Sequence, residues 1–545
     1  MVAALSRRTV LAGIATAIGL VAVPGVATAR PVVRQLRRDP FTLGVASGDP
    51  DHQGVVLWTR LPPEPLAEDG LGGMPNRIVD VEWQLATDER FQQVVRQGVV
   101  SARPESAHSV HVELNGLAPG TEYFYRFRAE GYLSPVGRTR TAPAPHTRSG
   151  SLRMAFASCA QYEHGYFTAY RRLAEDKPEL ILHLGDYMYE YAANTNVLPG
   201  GNVRHHEGPE TVTLANYRQR YAQYKTDPDL QAAHAVAPWL VVFDDHEVDN
   251  NWAGDVPERP DPNFLARRAA AFQAYYENMP LRQSSLPQGS HMQLYRRVHW
   301  GQLATFHMLD TRQFRDDQAC GDGYRDCPAS LDPARSITGE QQERWLLDGF
   351  RRSRARWDLL GQQVFFGQRD RDAGPARVVS MDAWDGYVAS RERIMRGWLD
   401  AGVRNLVVLT GDVHAHWADD LKLDWSDPTS RTVGSELVCS SITSGGDGAD
   451  SVGHPWFAHN PHLRFYNNQR GYVLTRITPA ALEADFRVVP YVSRPGAPVY
   501  TRASFVIEDR VPGLHQTYDR PVDSATITPL EELDEATVRQ ETERP

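Results

Sequence analysis

Four apolar runs in this chain break off into side chains that bind protons or cations. They are "RMAFASCAQ" at 153–161, "LILHLGDYMY" at 180–189, "LVVFDDHEVDNNW" at 240–252 and "LVVLTGDVHAHW" at 406–417. Each reads as a buried strand whose carboxyl end carries Cys159, then Asp186 and Tyr189, then Asp244, Asp245 and His246, then Asp412, His414 and His416. In open α/β sheets the carboxyl ends of strands border one crevice, so ends far apart in sequence meet there. Taken singly, each residue has an ordinary explanation. An Asp after Gly caps or turns the chain, a lone His is hydrogen-bonded in a core, and a lone Cys is a small hydrophobe. Together they do not, because burying Asp-Asp-His-Glu behind a strand is costly unless a cation neutralises it. The pattern predicts a metal site.

The flanking sequence predicts what surrounds it. From residue 40 to 145 short alternating runs such as "GVVLWTRL", "VDVEWQLATD" and "TEYFYRFRAEG" lie between Gly, Pro and Asp turns, the grammar of a β-sandwich. The segment 117–129, "LAPGTEYFYRFRA", resembles the end of a fibronectin type III domain, with Tyr123 as the corner residue. A Pro/Ser/Gly linker at 141–151 marks a boundary. Beyond it apolar strands alternate with helical stretches such as "GYFTAYRRLAEDKP", so 150–505 reads as an α/β domain. Residues 506–545, ending in "PLEELDEATVRQETERP", read as a polar tail or a peripheral gating helix.

At the N-terminus, Ser6-Arg7-Arg8-Thr9-Val10-Leu11 precedes a small, apolar run ending in Ala27-Thr28-Ala29. Residues 1–29 therefore read as a twin-arginine signal peptide, with the Tat translocase as partner during export and a secreted, periplasmic or cell-wall location. No other segment is long and apolar enough to span a membrane. The formal charge is −10, and without Arg7 and Arg8 the 56 remaining Lys and Arg face 68 Asp and Glu, which disfavours a nucleic-acid partner. Of the four cysteines, Cys320 and Cys327 bracket "GDGYRD" and suit either a small disulfide or half a zinc site. Cys439 reads as a strand residue near the site.

The motifs carry a resemblance. "GDYMY" matches the GD-x-x-Y block of calcineurin-like metallophosphoesterases, "DDHE" stands where that superfamily has GN-H-D/E, and "GDVH" stands where it has GH-x-H. Cys159 stands where the first strand normally supplies Asp. These departures, with the leading β-sandwich and the twin-arginine signal, resemble the alkaline phosphatase D family, and also secreted phospholipase D enzymes without the HKD motif. The resemblance implies a metallophosphoesterase αββα sandwich behind a fibronectin III-like domain. It also implies an exported phosphoesterase acting on phosphodiesters and phosphomonoesters, with iron(III) and calcium as cofactors, or manganese or another divalent ion in the second position; the alternatives are a phospholipase D acting on phospholipid head groups or a degenerate, non-catalytic surface-binding member.

On that resemblance Cys159 and Tyr189 suit iron(III), Asp186 bridges the two positions, and Asp245, Asn251 and Asp412 suit the harder ion. His414 completes either position. His246 is the expected proton donor or phosphate contact. Arg312 reads either as a bidentate phosphate ligand or as an ion pair with Asp310 or Asp316. His416, Trp252 and Trp417 read as pocket walls or core. His205 and His206 read as a solvated loop or a lid.

Overall fold

Apolar residues on successive positions of a strand bury both of its faces, and this decides the architecture. In the computed structural model, which describes residues 36–148 and 150–521, Leu359, Val407 and Leu409 point into one core while Leu360 and Val408 point into another. The first core lies between two sheets. The second lies under the helices Gly339–Arg352 and Val388–Asp400, which supply Leu346, Phe350, Ile394 and Trp398. The result is a four-layered αββα sandwich.

The first sheet has ten strands. Its centre is parallel: Leu152–Ala157, Leu180–His183, Trp239–Val241 and Val45–Gly48 lie side by side. The second has seven, with Ala304–Met308, Trp357–Gly361, Leu406–Thr410 and Thr432–Val438 parallel at its centre. Helix Pro228–Val236 closes the outer side of the first sheet, where Trp239 donates Nε1 to the Ala233 carbonyl and stacks on His234.

The β-sandwich expected at 40–145 is present, but it is not a separate body. Val45–Gly48, Val55–Arg60 and Ser109–Leu114 extend the ten-stranded sheet, and a five-stranded sheet covers their outer face. Val55 and Leu57 face the sandwich core, whereas Trp58 turns the other way, onto Ala222 of helix Leu214–Lys225. One strand thus serves both cores. The Tyr123 hydroxyl holds the corner as expected, accepting from the Ala118 N–H at 3.1 Å.

The tail reading needs correction. Tyr500–Glu508 and Val511–Asp519 form a hairpin that ends the ten-stranded sheet, with Ala503, Phe505 and Ile507 buried on alternate positions. The period-2 pattern stops short of the acidic segment, so 506–519 belongs to the sheet. The signal peptide at 1–29 and the acidic stretch 529–545 lie outside the described residues.

Candidate metal centre

The parallel strands of both sheets deliver their carboxyl ends to one place. Leu152–Ala157 leads to Cys159, Leu180–His183 to Asp186, Trp239–Val241 to Asp244 through His246, and Leu406–Thr410 to Asp412 and His414. Backbone bonds lock the loops together: the Cys159 N–H donates to the Gly185 carbonyl and the Ala160 N–H to that of Asp186. Gly185 has φ +109°, and a Cβ there would lie 2.4 Å from that of Asp244. Only glycine lets the two loops approach so closely.

Five of the expected ligands hold a backbone conformation that side chains rarely adopt. Cys159, Asp186, Asn251, Asp412 and His414 have φ of 59°, 55°, 47°, 66° and 50°. Each costs of order 1 kcal/mol or more and persists only where the surroundings impose it. Glu247 is one such constraint: its buried carboxylate accepts from the N–H groups of Asp186, Tyr187 and Asp244, stapling two ligand loops.

Potential ligand atoms converge in three overlapping groups, each within 4.8 Å: Cys159, Asp186 and His414; Asp186, Asp245 and His246; and Asp244, Asp245 and Asp412. Asp186 belongs to two of them, the placement a bridging carboxylate requires. The Tyr189 hydroxyl donates to Asp186 Oδ2 at 3.0 Å and lies 3.1 Å from His414 Nε2. The Asn251 N–H donates to Asp245 Oδ2 at 2.7 Å.

The electrostatics suit a cation. Burial, and then neighbouring carboxylates, push Asp186 and Asp412 far above the usual carboxylate range, although His246 and Arg312 pull the other way. Burial and Asp186 likewise raise the Cys159 thiol and the Tyr189 phenol. Burial, Arg470 and His246 keep His414 neutral, as a ligand must be. Asp244 Oδ2 and Asp245 Oδ1 are buried with no hydrogen-bond donor. Arg312 Nη2 lies 3.7 Å from Asp245 Oδ1, too far for a hydrogen bond, and buried carboxylate oxygens without a donor are rare. The thiol, phenol, imidazole and carboxylate set therefore fits a soft-tolerant Lewis acid beside a hard, oxygen-seeking ion.

Not every expected residue reaches the site. Arg312 is the main correction. It is fully buried and does not line the cleft; its Nε donates to Asp244 Oδ1 at 2.5 Å and its Nη1 to Asp382 Oδ1 at 2.8 Å. Neither Asp310 nor Asp316 takes the guanidinium; Asp310 accepts from the backbone N–H groups of Arg312 and Gln313 and from Gln313 Nε2. With no exposed surface, and with Nε and Nη1 taken by buried carboxylates, the guanidinium presents no fork to the cleft. His416, Trp252 and Trp417 are core: His416 Nδ1 accepts from the Ser440 N–H, and Trp417 packs on Trp456 and Tyr466. His205 is exposed as expected of a solvated loop, but His206 is buried against the Tyr191 carbonyl and the Tyr224 hydroxyl. Cys439 is buried with Sγ 3.4 Å from Ser158 Oγ, itself 3.2 Å from Cys159 Sγ. Cys320 and Cys327 form the disulfide.

Four residues of the site had escaped the sequence reading. Glu190 holds His246 Nδ1 at 2.8 Å, Ser444 donates to the Tyr189 hydroxyl at 2.7 Å, Arg470 donates to the His414 carbonyl at 2.5 Å, and Asp382 anchors Arg312. Glu190 stood next to Tyr189 and followed the GD-x-x-Y block; the other three follow no motif. The centre opens into a cleft of about 820 Å³ walled by 198–201, Tyr324, Arg325, Arg369 and 445–449.

A two-sheet sandwich with thiol, phenol, imidazole and carboxylates at its converging strand ends is the scaffold of a metallophosphoesterase. Residues 154–486 match the PhoD-like phosphatase family, and residues 25–143 match the PhoD-like phosphatase N-terminal domain. The chain belongs to the PhoD-like phosphatase family. It is 51% identical over 493 residues to alkaline phosphatase D of Bacillus subtilis strain 168, covering 90% of this chain and 83% of that protein. A solved structure of PhoD superposes with a TM-score of 0.89 at 48% identity, covering 93% of this chain and 98% of the other.

Proposed function

We propose that this phosphoric ester hydrolase is an exported, metal-dependent phosphoesterase of the alkaline phosphatase D type, cleaving phosphodiesters and phosphomonoesters with iron(III) and calcium. The relationship to alkaline phosphatase D supports the activity. The observation that carries the metal dependence is the convergence of ligand atoms from Cys159, Asp186, Asp245, Asp412 and His414 in overlapping groups, where Asp244 Oδ2 and Asp245 Oδ1 lack a hydrogen bond. Cys159, Tyr189 and His414 would hold iron(III), Asp186 would bridge, and Asp245, Asn251 and Asp412 would hold calcium or manganese. When bound, the cations polarise the phosphoryl oxygens and lower the pKa of water, so that attack on phosphorus proceeds near neutral pH.

The chain's own residues supply the rest. His246 stacks on Tyr189 at 4.0 Å between ring centres, which fixes the imidazole plane at the cleft wall. Glu190 holds Nδ1, leaving Nε2 for the substrate. Burial opposes its charge, but Glu190, Asp245 and Asp186 together raise its pKa well above the ordinary histidine value. A protonated His246 then gives its Nε2 proton to the departing ester oxygen as the P–O bond breaks.

Metal analysis of purified protein, with turnover of bis-p-nitrophenyl and p-nitrophenyl phosphate before and after chelation, tests this reading. Iron-free protein whose turnover ignores chelators would overturn it. Phosphatidylcholine as a third substrate tests the phospholipase D alternative. For export, substituting Arg7 and Arg8 by lysine should hold the protein in the cytoplasm on fractionation. No helix among the described residues is long and apolar enough to cross a membrane.

A further inference from the structure

The Cys320–Cys327 disulfide closes a loop whose residues 322–325 line the cleft beside the candidate ligands and which touches one of them, Asn251, directly. Asp322, inside the loop, accepts from Asn251 Nδ2 at 2.6 Å. Gln318, just ahead of it, donates both hydrogens of Nε2, one to the Asn251 carbonyl at 2.7 Å and one to Asp382 Oδ1 at 2.8 Å. The Asn251 N–H is held by Asp245. The short strand Tyr324–Asp326 in the same loop pairs with Val378–Ser380, fastening the loop to the cleft wall.

The chemistry of these contacts is selective. A side-chain amide presents nearly identical ends, an oxygen that can bind a cation and an NH₂ that cannot. A carboxylate only accepts, so Asp322 selects the NH₂ end and turns Oδ1 away from itself. Asn251 also carries a left-handed backbone, φ 47°, which the Gln318 and Asp245 bonds hold in place. Its N–H, its carbonyl and its Nδ2 are all engaged, and Oδ1 is the atom left over.

We propose that the disulfide-closed loop is a positioning device for the second cation: Asp322 and Gln318 fix the Asn251 amide so that Oδ1 serves as a ligand. The thiol–disulfide state of Cys320 and Cys327 then sets how tightly that cation is held. This rests on the reading of Asn251 as a ligand. A dithiol reductant would convert the S–S bond to two thiols, delivering two electrons and two protons while it closes to its own disulfide. The loop would lose its clasp and Asn251 part of its orientation.

Calcium titration by calorimetry of the full-length, iron-loaded protein, stripped of calcium beforehand, tests the proposal. Asp322→Ala should weaken calcium binding by about 10- to 100-fold, the usual effect of removing an outer partner of a ligand, with iron content unchanged. Asp322→Asn, whose carbonyl oxygen still accepts from Asn251, should stay within a few-fold of the parent. The dithiothreitol-reduced protein, with opening confirmed by alkylation mass, should shift in the same direction as Asp322→Ala. If Asn251→Ala weakens calcium binding while Asp322→Ala and the reduced protein bind like the parent, the loop is not a positioning device. Should Asn251→Ala itself bind calcium normally, the ligand assignment fails and the proposal goes with it.

Discussion

Arg312 donates its Nε to Asp244, the residue immediately before the candidate ligand Asp245, and both partners are completely buried. The guanidinium also lies 3.7 Å from Asp245 and bonds Asp382, so one cationic side chain braces three carboxylates from behind the cleft. Removing it leaves buried charge without its partner. Arg312→Ala should therefore destabilise the fold by about 3–5 kcal/mol and lower metal content. Urea unfolding and metal analysis check this. A variant of unchanged stability that loses only KM would instead return Arg312 to the substrate.

At the end of the strand that leads to Asp186, His183 is buried with Nε2 2.8 Å from the Tyr170 hydroxyl and Nδ1 without a hydrogen bond. Burial and nearby Lys225 push its pKa down to about 3. The folded value is below the unfolded one of about 6.5, so the unfolded chain binds the extra proton as pH falls. This contribution to stability is complete above pH 6.5 and is lost at about 1.4 kcal/mol per pH unit on the way down to about 3. His183→Phe removes that titration. Its unfolding free energy should fall less steeply between pH 6 and 4 than the parent's, and parallel slopes would exclude the assignment.

What could be read from the sequence follows a physical division. The strand ends were legible because a buried apolar run that stops at charged residues has few explanations, and the structure brings all four ends together. The constraints that make those residues ligands were not legible. The left-handed backbone at Cys159, Asp186 and His414 comes from contacts between loops, and no local pattern announces it in non-glycine residues. Asp382, Ser444 and Arg470 reach the site from loops with no periodicity, so only tertiary packing identifies them. Arg312 stays open between a phosphate ligand and an ion pair in the sequence because an arginine after a strand looks alike in both cases, and the structure gives the ion pair, with Asp244 and Asp382 in place of Asp310 or Asp316. The edge hairpin was missed because its second strand, Val511–Asp519, buries only Leu514 fully.

His246 and Glu190 form a pair whose charge state the pH profile will report. Glu190 is the leading influence raising the His246 pKa against the cost of burial. With the folded value raised, His246 stays protonated into the alkaline range and loses its proton only as pH climbs through that value. Glu190→Gln weakens the hold on the proton, so the alkaline limb of kcat should move to lower pH. His246→Gln should lower kcat by about 10²- to 10⁴-fold, more for alkyl esters than for p-nitrophenyl esters, whose leaving group needs no proton. Steady-state kinetics across pH with both ester types measures each effect, and an unmoved alkaline limb in Glu190→Gln would remove histidine from that role.

Tyr189 joins the two halves of the centre: its hydroxyl touches Asp186 and His414, and Ser444 donates to it. Burial and Asp186 hold the phenol neutral, as burial holds the Cys159 thiol, so both lose their protons only to a strong cation. Phenolate and thiolate bound to iron(III) give visible charge-transfer bands, and the holoenzyme should be coloured. Tyr189→Phe and Cys159→Ser should each shift or bleach the band, and the two changes should differ in wavelength because oxygen and sulfur donors differ in energy. Ser444→Ala, which removes the hydrogen bond to the phenol oxygen together with those to the Cys159 carbonyl and from the Gln161 N–H, should retain iron while moving the band. Colour unchanged in all three variants would place the iron away from Tyr189 and Cys159. A shift in Ser444→Ala at full iron content would show that the bound iron senses Ser444, which touches both the Tyr189 hydroxyl and the Cys159 carbonyl.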